Sequence, residues 1–487
     1  MTLISAEEVA KHNTYQDCWV IIYDKVYNLS KFLPEHPGGV GVILEQAGKD
    51  STIVFGRIHP QGIIQQYLPP DACLGLVDPA TIIETSKPEI EQRREAIKNK
   101  PHLTEILNLY DFEAVASQIL TKETYAFYSC AADDEISYRE NHNAFHRIWL
   151  RPRVMRDVTH IDISTKILGY HSSFPLFISP TALGKLAHPL GEVVLTRAAH
   201  SHGIIQMVPN FASCSFDELT SARKEGQIQF FQLYINKNRD VTKKVVQAAQ
   251  EKGCKAIFVT VDVPGLGNRE KDARMKYVGA LPDNQKGNDL ELNRGASRLF
   301  SSLMDPSLNW NDIKWLRSIT SLPIVIKGIQ TSEDAILAAE YGCDGIMLSN
   351  HGGRQLDFAP SAIEILPEVI KSLKRLGLLD KVEVYIDGGI RRGTDIFKAL
   401  ALGAKAVGIG RPLLYAMSSY GQAGVERALQ ILKDEFETAM RLSGANTIAD
   451  ICPNMVDIRS LSNHTFTPKD YLFSNVYDRL SPRRSKL

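Results

Sequence analysis

The sequence lacks paired cysteines, long apolar runs and any excess of charge. Its seven cysteines are scattered over 487 residues without a Cys-x-x-Cys pair, so zinc and iron–sulfur sites have little support and a reduced intracellular compartment is favoured. Lysine plus arginine and aspartate plus glutamate both number 56, which gives no indication of a nucleic-acid partner. No apolar stretch approaches the roughly 18 residues of a membrane span, so we expect none.

Targeting signals are also absent from the N-terminus, which has neither the apolar core of a signal peptide nor the arginine-rich, acid-poor character of a mitochondrial presequence. The last three residues, Ser485-Lys486-Leu487, match a C-terminal peroxisomal address. The sequence therefore predicts a peroxisomal location, with the cytoplasm and the mitochondrial intermembrane space as alternatives.

Two histidines, His36 and His59, lie in settings that suit axial ligands of haem iron. His36 opens a His-Pro-Gly-Gly run, in which proline and two glycines predict a tight turn that lets a planar group approach the backbone. A surface histidine in a turn, beside an unrelated second histidine, is the alternative, and the spacing weakens it. Residues 1–78 resemble the cytochrome b5 domain, a small α+β fold, which implies haem b bound by His36 and His59.

Residues 79–107 are predicted to be a linker, because Pro79, Pro88 and Pro101 interrupt a charged stretch. The next segment, 108–465, alternates β-branched runs with amphipathic stretches, and a final tail covers 466–487.

Eight strand–helix units in 108–465 predict a (β/α)8 TIM barrel. An open doubly wound sheet is the alternative, but no Gly-x-Gly-x-x-Gly motif follows the first strand. Thr331 or Ser332 can cap one of the helices, and residues 279–295 are predicted to form a long loop over the barrel mouth. The predicted strands are 175–179, 204–208, 228–234, 256–261, 323–327, 345–349, 383–387 and 406–410.

Polar side chains follow these strands at their carboxyl ends, where the active sites of such barrels form. A capping or solvated side chain explains one such residue, but not a set that occurs in register on seven strands. Gly389 with Arg391, and Gly410 with Arg411, offer backbone N–H groups and guanidinium donors to a phosphate. The other candidates are Thr181, Ala182, Gln232, Tyr234, Thr260, Asp262, Lys327, Ser349, His351, Arg354 and Asp387.

The residue types suggest individual roles. His351 is a candidate general base, because its reference pKa lies near neutrality, and Asp262 can orient its imidazole and stabilise the imidazolium. Arg354 can bind a substrate carboxylate, with Arg269 as a second cation. Lys327, which ends the fifth strand in this prediction, can stabilise negative charge on a bound ring system.

The run 350–357, Asn-His-Gly-Gly-Arg-Gln-Leu-Asp, together with 387–389 and 391–393, is similar to the FMN-dependent 2-hydroxy acid dehydrogenases and oxidases over residues 108–460. Joined to a cytochrome b5 domain, it resembles the flavocytochrome b2 family of cytochrome-type L-lactate dehydrogenases. The resemblance implies oxidation of an L-2-hydroxy acid such as L-lactate, with electrons passing from FMN to haem and then to an external one-electron acceptor such as cytochrome c. It also implies a homotetramer.

The resemblance assigns residues as well. It implies that His351 takes a proton from the substrate, that Tyr234 contacts the substrate hydroxyl and that Arg354 binds the carboxylate. The implied FMN contacts are Thr181, Ala182, Gln232, Thr260, Lys327, Ser349, Asp387, Gly389, Arg391, Gly410 and Arg411.

Three positions depart from the family pattern. Phe127 stands where a tyrosine hydroxyl usually helps to bind the carboxylate, unless Tyr125 or Tyr128 replaces it; losing that hydrogen bond costs about 1.5–3 kcal/mol. Pro209 and Asn210 replace the usual Ser and Thr beside the flavin, and proline removes an N–H donor. Phe211 falls where a residue facing the substrate side chain is expected.

Two other functions remain open from the sequence. A peroxisomal 2-hydroxy acid oxidase would use O2 to reoxidise FMN and would not need the haem. A carrier protein with a degenerate barrel is the second alternative, which the intact set of His351, Arg354, Asp262 and Lys327 disfavours.

Overall fold

The computed structural model describes residues 3–36, 40–44, 46–59, 62–81, 88–276 and 304–464. The predicted turn at 37–39, the predicted loop at 279–295 and nearly all of the C-terminal tail with its Ser-Lys-Leu end lie outside these residues. Among the described helices, none is both long and apolar enough to cross a membrane.

The N-terminal domain is a four-stranded sheet in the order β1-β4-β3-β2, covered by short helices. β1 runs parallel to β4, and the other pairs are antiparallel. Val20, Ile22, Leu33 and Ile43 belong to its buried core. Its strands are β1 (Leu3–Ile4), β2 (Trp19–Ile22), β3 (Lys25–Asn28) and β4 (Cys73–Val77), and its helices are α1 (Ala6–Lys11), α2 (Val40–Leu44), α3 (Thr52–Ile58) and α4 (Ile63–Tyr67).

The predicted linker contains a helix, α5 (Pro88–Lys98), which packs against α6 (Leu109–Ile119). Asn108 caps α6 by accepting hydrogen bonds from the backbone of the first turn. Two more helices, α7 (Lys122–Ser129) and α8 (Ile136–His146), precede the barrel. Three short strands follow: β5 (Trp149–Leu150), β6 (Thr165–Ile167) and β7 (Tyr170–Ser172).

Eight parallel strands close into a barrel, as predicted, and each predicted range overlaps an observed strand with its ends displaced by no more than two residues. The position of Lys327 was predicted wrongly. It does not end its strand, because β12 continues past a register shift to Ile329. The barrel strands are β8 (Leu176–Ile178), β9 (Ile205–Val208), β10 (Gln229–Leu233), β11 (Ile257–Thr260), β12 (Ile324–Ile329), β13 (Gly345–Leu348), β14 (Glu383–Asp387) and β15 (Ala406–Ile409).

Helices surround the barrel, and Thr331 caps one of them through its side-chain oxygen, as predicted. A last short strand, β16 (Val456–Asp457), pairs with β5. The described helices of this part are α9 (Glu192–Ser201), α10 (Phe216–Ala222), α11 (Arg239–Glu251), α12 (Glu270–Lys276), α13 (Asn311–Ile319), α14 (Ser332–Glu340), α15 (Ala362–Arg375), α16 (Gly393–Ala401) and α17 (Arg411–Ser443).

Aromatic side chains fill the barrel interior. Phe258 is 0% exposed, and its ring centroid lies 5.4 Å from that of Phe230 and 5.9 Å from that of Tyr385. The interior is therefore a packed core, and a ligand must bind at one of its ends.

Replacing Phe258 by alanine should lower the free energy of unfolding by about 3–5 kcal/mol, because it leaves a cavity among close-packed rings. Urea denaturation followed by circular dichroism measures the change. Phe358→Ala is the matched control, since Phe358 is 74% exposed, and it should change stability by no more than about 0.5 kcal/mol. Equal effects of the two substitutions would contradict this description of the core.

Candidate active site

A cavity of about 630 Å³ lies at the carboxyl ends of the barrel strands. Two predicted site residues, Asp262 and Ser349, do not line the cavity. They hydrogen-bond to lining residues, Asp262 to His351 and Ser349 to Lys327. The structure brings the other predicted residues of the barrel together in its wall: Thr181, Ala182, Gln232, Tyr234, Thr260, Lys327, His351, Arg354, Asp387, Gly389, Arg391, Gly410 and Arg411, with Phe127, Phe211 and Arg269.

His351 and Asp262 form a partly buried pair, with 2.8 Å between Nδ1 and Oδ1. Gly328 allows this approach, because a Cβ there would lie 2.7 Å from the side chain of Asp262. Burial lowers the pKa of His351 below its ordinary value, and Asp262 only partly opposes this. Burial alone would raise the pKa of Asp262, but His351 and Lys327 lower it. The pair is thus a neutral imidazole beside a carboxylate, and Nε2 is left to accept a proton.

Two guanidinium groups lie on the same side of the cavity as His351. Nη1 of Arg354 donates to the carbonyls of Phe127 and Cys130 at 2.8 and 3.0 Å. Burial and the charge of Arg354 lower the pKa of Arg269 to about 9, which leaves it protonated at neutral pH. Two cations in one largely buried cavity favour an anionic ligand such as a carboxylate.

A phenolic hydroxyl is supplied to this region by Tyr234. Burial raises the pKa of Tyr234, so the hydroxyl stays protonated and can donate a hydrogen bond. Its ring stacks on Phe211, with 5.5 Å between centroids. Phe211 therefore narrows the cavity beside this hydroxyl.

Phe127 contributes only a ring to the cavity, centred 5.3 Å from Cζ of Arg354. Neither neighbouring tyrosine replaces the missing hydroxyl. The Tyr128 hydroxyl donates to the carbonyl of Leu183 at 2.7 Å, and Tyr125 is not among the lining residues and lies near Tyr415, with 6.1 Å between ring centroids.

Polar groups on the barrel axis can hydrogen-bond to a planar ring system. Nζ of Lys327 donates to Oγ of Ser349 at 3.1 Å and lies 3.9 Å from Asp387. Nε2 of Gln232 donates to Oγ1 of Thr260 at 3.0 Å. The other oxygen of Asp387, Oδ1, is buried and accepts no hydrogen bond from the described residues. This orphaned acceptor and the donors around it fit the polar edge of a flavin.

The glycines and arginines predicted to bind a phosphate, Gly389, Arg391, Gly410 and Arg411, lie together in the cavity wall, and the two arginines have different partners. Gly389 has a φ of +84°, and a Cβ there would lie 1.8 Å from the carbonyl oxygen of Asn141, so only glycine fits. Arg391 forms an ion pair with Glu113 at 2.7 Å. Arg411 donates to three backbone carbonyls at 2.8 to 2.9 Å, those of Tyr128, Gly352 and Cys130. Both guanidinium groups are therefore tied to the protein within the cavity wall.

Sequence reasoning missed the part of the wall that comes from the helices before the barrel. Asn141 is buried and exchanges two side-chain hydrogen bonds of 2.8 Å with Asn350. The polar run 139–143, Arg-Glu-Asn-His-Asn, was a possible signal, because five polar residues in a row are unusual on a buried helix. The missed lining residues of α6 and α8 include Tyr110, Glu113, Tyr138, Asn141 and His142.

His36 and His59 face each other in the N-terminal domain, with ring centroids 6.1 Å apart. Metal–imidazole bonds of about 2 Å on both sides of one ion require a similar separation, about 6 Å. Nδ1 of His59 lies 3.3 Å from the carbonyl of Phe55, which leaves Nε2 as the nitrogen that can bind a metal. Burial lowers the pKa of His59 to about 4, so its imidazole is neutral, as iron ligation requires. The pair fits a bis-histidine haem.

Family comparisons agree with this geometry. The model of the FMN-dependent dehydrogenases matches residues 116–458. The chain belongs to this family. The model of the cytochrome b5-like heme/steroid binding domain matches residues 5–78. This member of the FMN-dependent dehydrogenases is therefore an oxidoreductase with FMN and haem b as its cofactors.

Its relatives include L-lactate dehydrogenase (cytochrome) from Wickerhamomyces anomalus, 49% identical over 98% of this chain and 84% of the relative. The enzyme of the same name from Saccharomyces cerevisiae is 48% identical over 98% and 83%. Among solved structures, a flavocytochrome b2 double mutant with pyruvate bound has 47% identity and a TM-score of 0.73, covering 82% of this chain and 98% of that one.

These relatives contradict the predicted peroxisomal location. The matches over nearly the whole chain are cytochrome-type dehydrogenases. A peroxisomal (S)-2-hydroxyacid oxidase from Arabidopsis thaliana, 46% identical, matches only 73% of this chain, although 97% of its own length is covered. Of the alternatives, the mitochondrial intermembrane space is consistent with the relatives that match nearly the whole of this chain.

Replacing His59 by alanine should abolish haem binding, because one axial ligand is lost, while FMN binding in the separate cavity is kept. Absorbance of the purified protein measures both cofactors. His160→Ala is the control, since His160 is exposed on the barrel domain, and it should keep both. Haem retained at full occupancy in the His59 variant would contradict the assignment.

Proposed function

We propose that the enzyme oxidises an L-2-hydroxy acid, L-lactate or an acid of similar size, to the 2-oxo acid and passes the electrons through haem to an external one-electron acceptor such as cytochrome c. The observation that carries the proposal is the hydrogen-bonded His351–Asp262 pair, whose histidine lines the same cavity as two arginines. A proton acceptor beside a carboxylate site is what removal of hydrogen from a 2-hydroxy acid requires.

Binding and orientation come from the cationic side of the cavity. Arg354 and Arg269 bind the substrate carboxylate, and the protonated hydroxyl of Tyr234 hydrogen-bonds to the substrate hydroxyl. These contacts direct the substrate carbon and its hydrogen towards the barrel axis, because the carboxylate is fixed at the cavity wall. Because Phe127 has no hydroxyl, Arg354 and Arg269 bind the substrate carboxylate without a hydrogen bond from that position.

His351 takes the proton. Nδ1 is hydrogen-bonded to Asp262, so Nε2 accepts a proton from the substrate, and the carboxylate stabilises the imidazolium that forms. Bound in the cavity, FMN would supply the two-electron acceptor, and haem iron held by His36 and His59 would supply a one-electron relay to the external acceptor.

Substrate size is restricted by Phe211, whose ring stacks on Tyr234. A short side chain such as the methyl group of lactate suits this narrowed end of the cavity. The two relatives that match 98% of this chain are named for L-lactate, and a related structure contains pyruvate, which supports the choice. We also propose a homotetramer, on the resemblance to the family, for analytical ultracentrifugation to test.

The test is anaerobic absorbance of the holoenzyme mixed with short and branched L-2-hydroxy acids. L-Lactate should bleach the flavin and then reduce the haem, whereas His351→Gln should keep both cofactors and leave the flavin oxidised. Bleaching without haem reduction, followed by O2 consumption in air, would identify an oxidase. Unchanged spectra with every acid, or full-speed flavin reduction in the His351 variant, would overturn the proposal.

The pH dependence follows from the His351–Asp262 pair. Because His351 must be neutral to accept the proton and its pKa is lowered by burial, activity should fall only as pH decreases through a value below about 6.5. Asp262→Asn removes the charge that raises this pKa, so the acid limb should move to lower pH. The turnover number should also fall by about a hundredfold or more.

Flavin reduction measured across pH tests this prediction. Asp344→Asn is the control, because Asp344 accepts the N–H of Ile324 at 2.8 Å at the opposite end of the barrel. The control should leave the acid limb in place. An acid limb that moves upward in the Asp262 variant would contradict the assigned pair.

A further inference from the structure

Glu192, the first residue of α9, is a fully buried carboxylate outside the cavity. Its oxygens accept backbone N–H hydrogen bonds from Gly184 at 2.7 Å, Ser213 at 3.0 Å and Cys214 at 3.1 Å. The residue is 0% exposed. Lys185, beside Gly184, pairs with Glu218 instead. The negative charge of Glu192 is thus stabilised by backbone N–H donors and by its position at the N-terminus of a helix.

These donors belong to the two loops that follow the first two barrel strands, 179–191 and 209–215. The loops are also bonded directly to each other. The N–H of Leu183 donates to the carbonyl of Phe211 at 3.4 Å, and the N–H of Lys185 donates to Oγ of Ser213 at 3.0 Å. Leu183 has a φ of +58°, a conformation that persists only where the surroundings hold it. The paired loops therefore form one unit around the carboxylate of Glu192.

The paired loops have two functional faces. Their inner face contributes Thr181, Ala182, Pro209 and Phe211 to the cavity wall. Their outer face, the turn Gly184–Leu186, lies against α3 of the haem domain, and α3 ends at the proposed haem ligand His59. One structural unit thus separates the flavin cavity from the haem domain.

We propose that Glu192 is a positioning residue, whose buried carboxylate fixes the paired loops and thereby sets both the flavin side of the cavity and the surface that receives the haem domain. Glutamine at this position keeps one acceptor oxygen but places an NH2 group against backbone N–H donors. The loops then separate, since a buried N–H without an acceptor is costly.

The experiment compares Glu192→Gln with the wild-type holoenzyme in two measurements. The dissociation constant of FMN is determined by reconstitution of the flavin-free protein, and the rate of haem reduction is followed after the flavin is reduced by light with a sacrificial donor. The FMN dissociation constant should rise about tenfold and haem reduction should slow about fivefold. The measurement of haem reduction rests on the proposed function, but photoreduction of the flavin makes it independent of which acid is the substrate.

Glu383→Gln is the matched control. Glu383 accepts the N–H of Leu168 at 2.9 Å and the hydroxyl of Tyr385 at the opposite end of the barrel. The Glu383→Gln variant should have lower thermal stability, but its FMN dissociation constant and its rate of haem reduction should change by no more than about twofold. Ser213→Ala is a milder second variant, because it keeps the Glu192 carboxylate and removes only the hydroxyl of Ser213, which accepts the N–H of Lys185 at 3.0 Å and donates to Glu192 at 3.4 Å. It should shift the FMN dissociation constant and the rate of haem reduction in the same direction as Glu192→Gln. Unchanged readings in both loop variants, or equal shifts in the Glu383 control, would overturn the proposal.

Discussion

Closure of eight parallel strands into one barrel is the constraint on which the site depends. Parallel strands that close on themselves must present all their carboxyl ends at one rim. His351 and Asp262 lie 89 positions apart in the chain yet within 2.8 Å in space for this reason. The aromatic core below the rim leaves no room for a ligand there, so the cavity forms where the strands end.

The charged and titratable side chains around that cavity form two groups, a pair of arginines and a histidine–aspartate pair. Towards the substrate, Arg269 and Arg354 are held close together in spite of their repulsion, which gives the site its preference for an anion. Beside them, burial keeps His351 neutral while Asp262 supports its protonated form. A base and a carboxylate site can coexist here because the imidazole carries no charge until it has taken the proton.

The two proposed cofactor sites lie in separate domains, and the residues between the sites hold the backbone in place. The proposed haem ligands lie in a small sheet domain with its own core, and the cavity proposed for FMN lies in the barrel. The paired loops around Glu192 face both. A buried carboxylate that binds mainly backbone N–H groups carries no recognisable sequence signature, although it contacts two of the loops that form the cavity.

The sequence by itself determined the barrel and the part of the cavity wall that comes from the strand ends, because β-branched runs, glycine turns and polar residues at strand ends recur along the chain. The sequence also predicted His36 and His59 as haem ligands, and the structure brings their rings to 6.1 Å between centroids. Only the tertiary structure decided that Arg391 pairs with Glu113, that Arg411 binds three carbonyls and that Tyr128 turns away from the cavity. Those partners lie far apart in the chain, and a side chain's hydrogen-bond partner depends on packing between elements that no local pattern records.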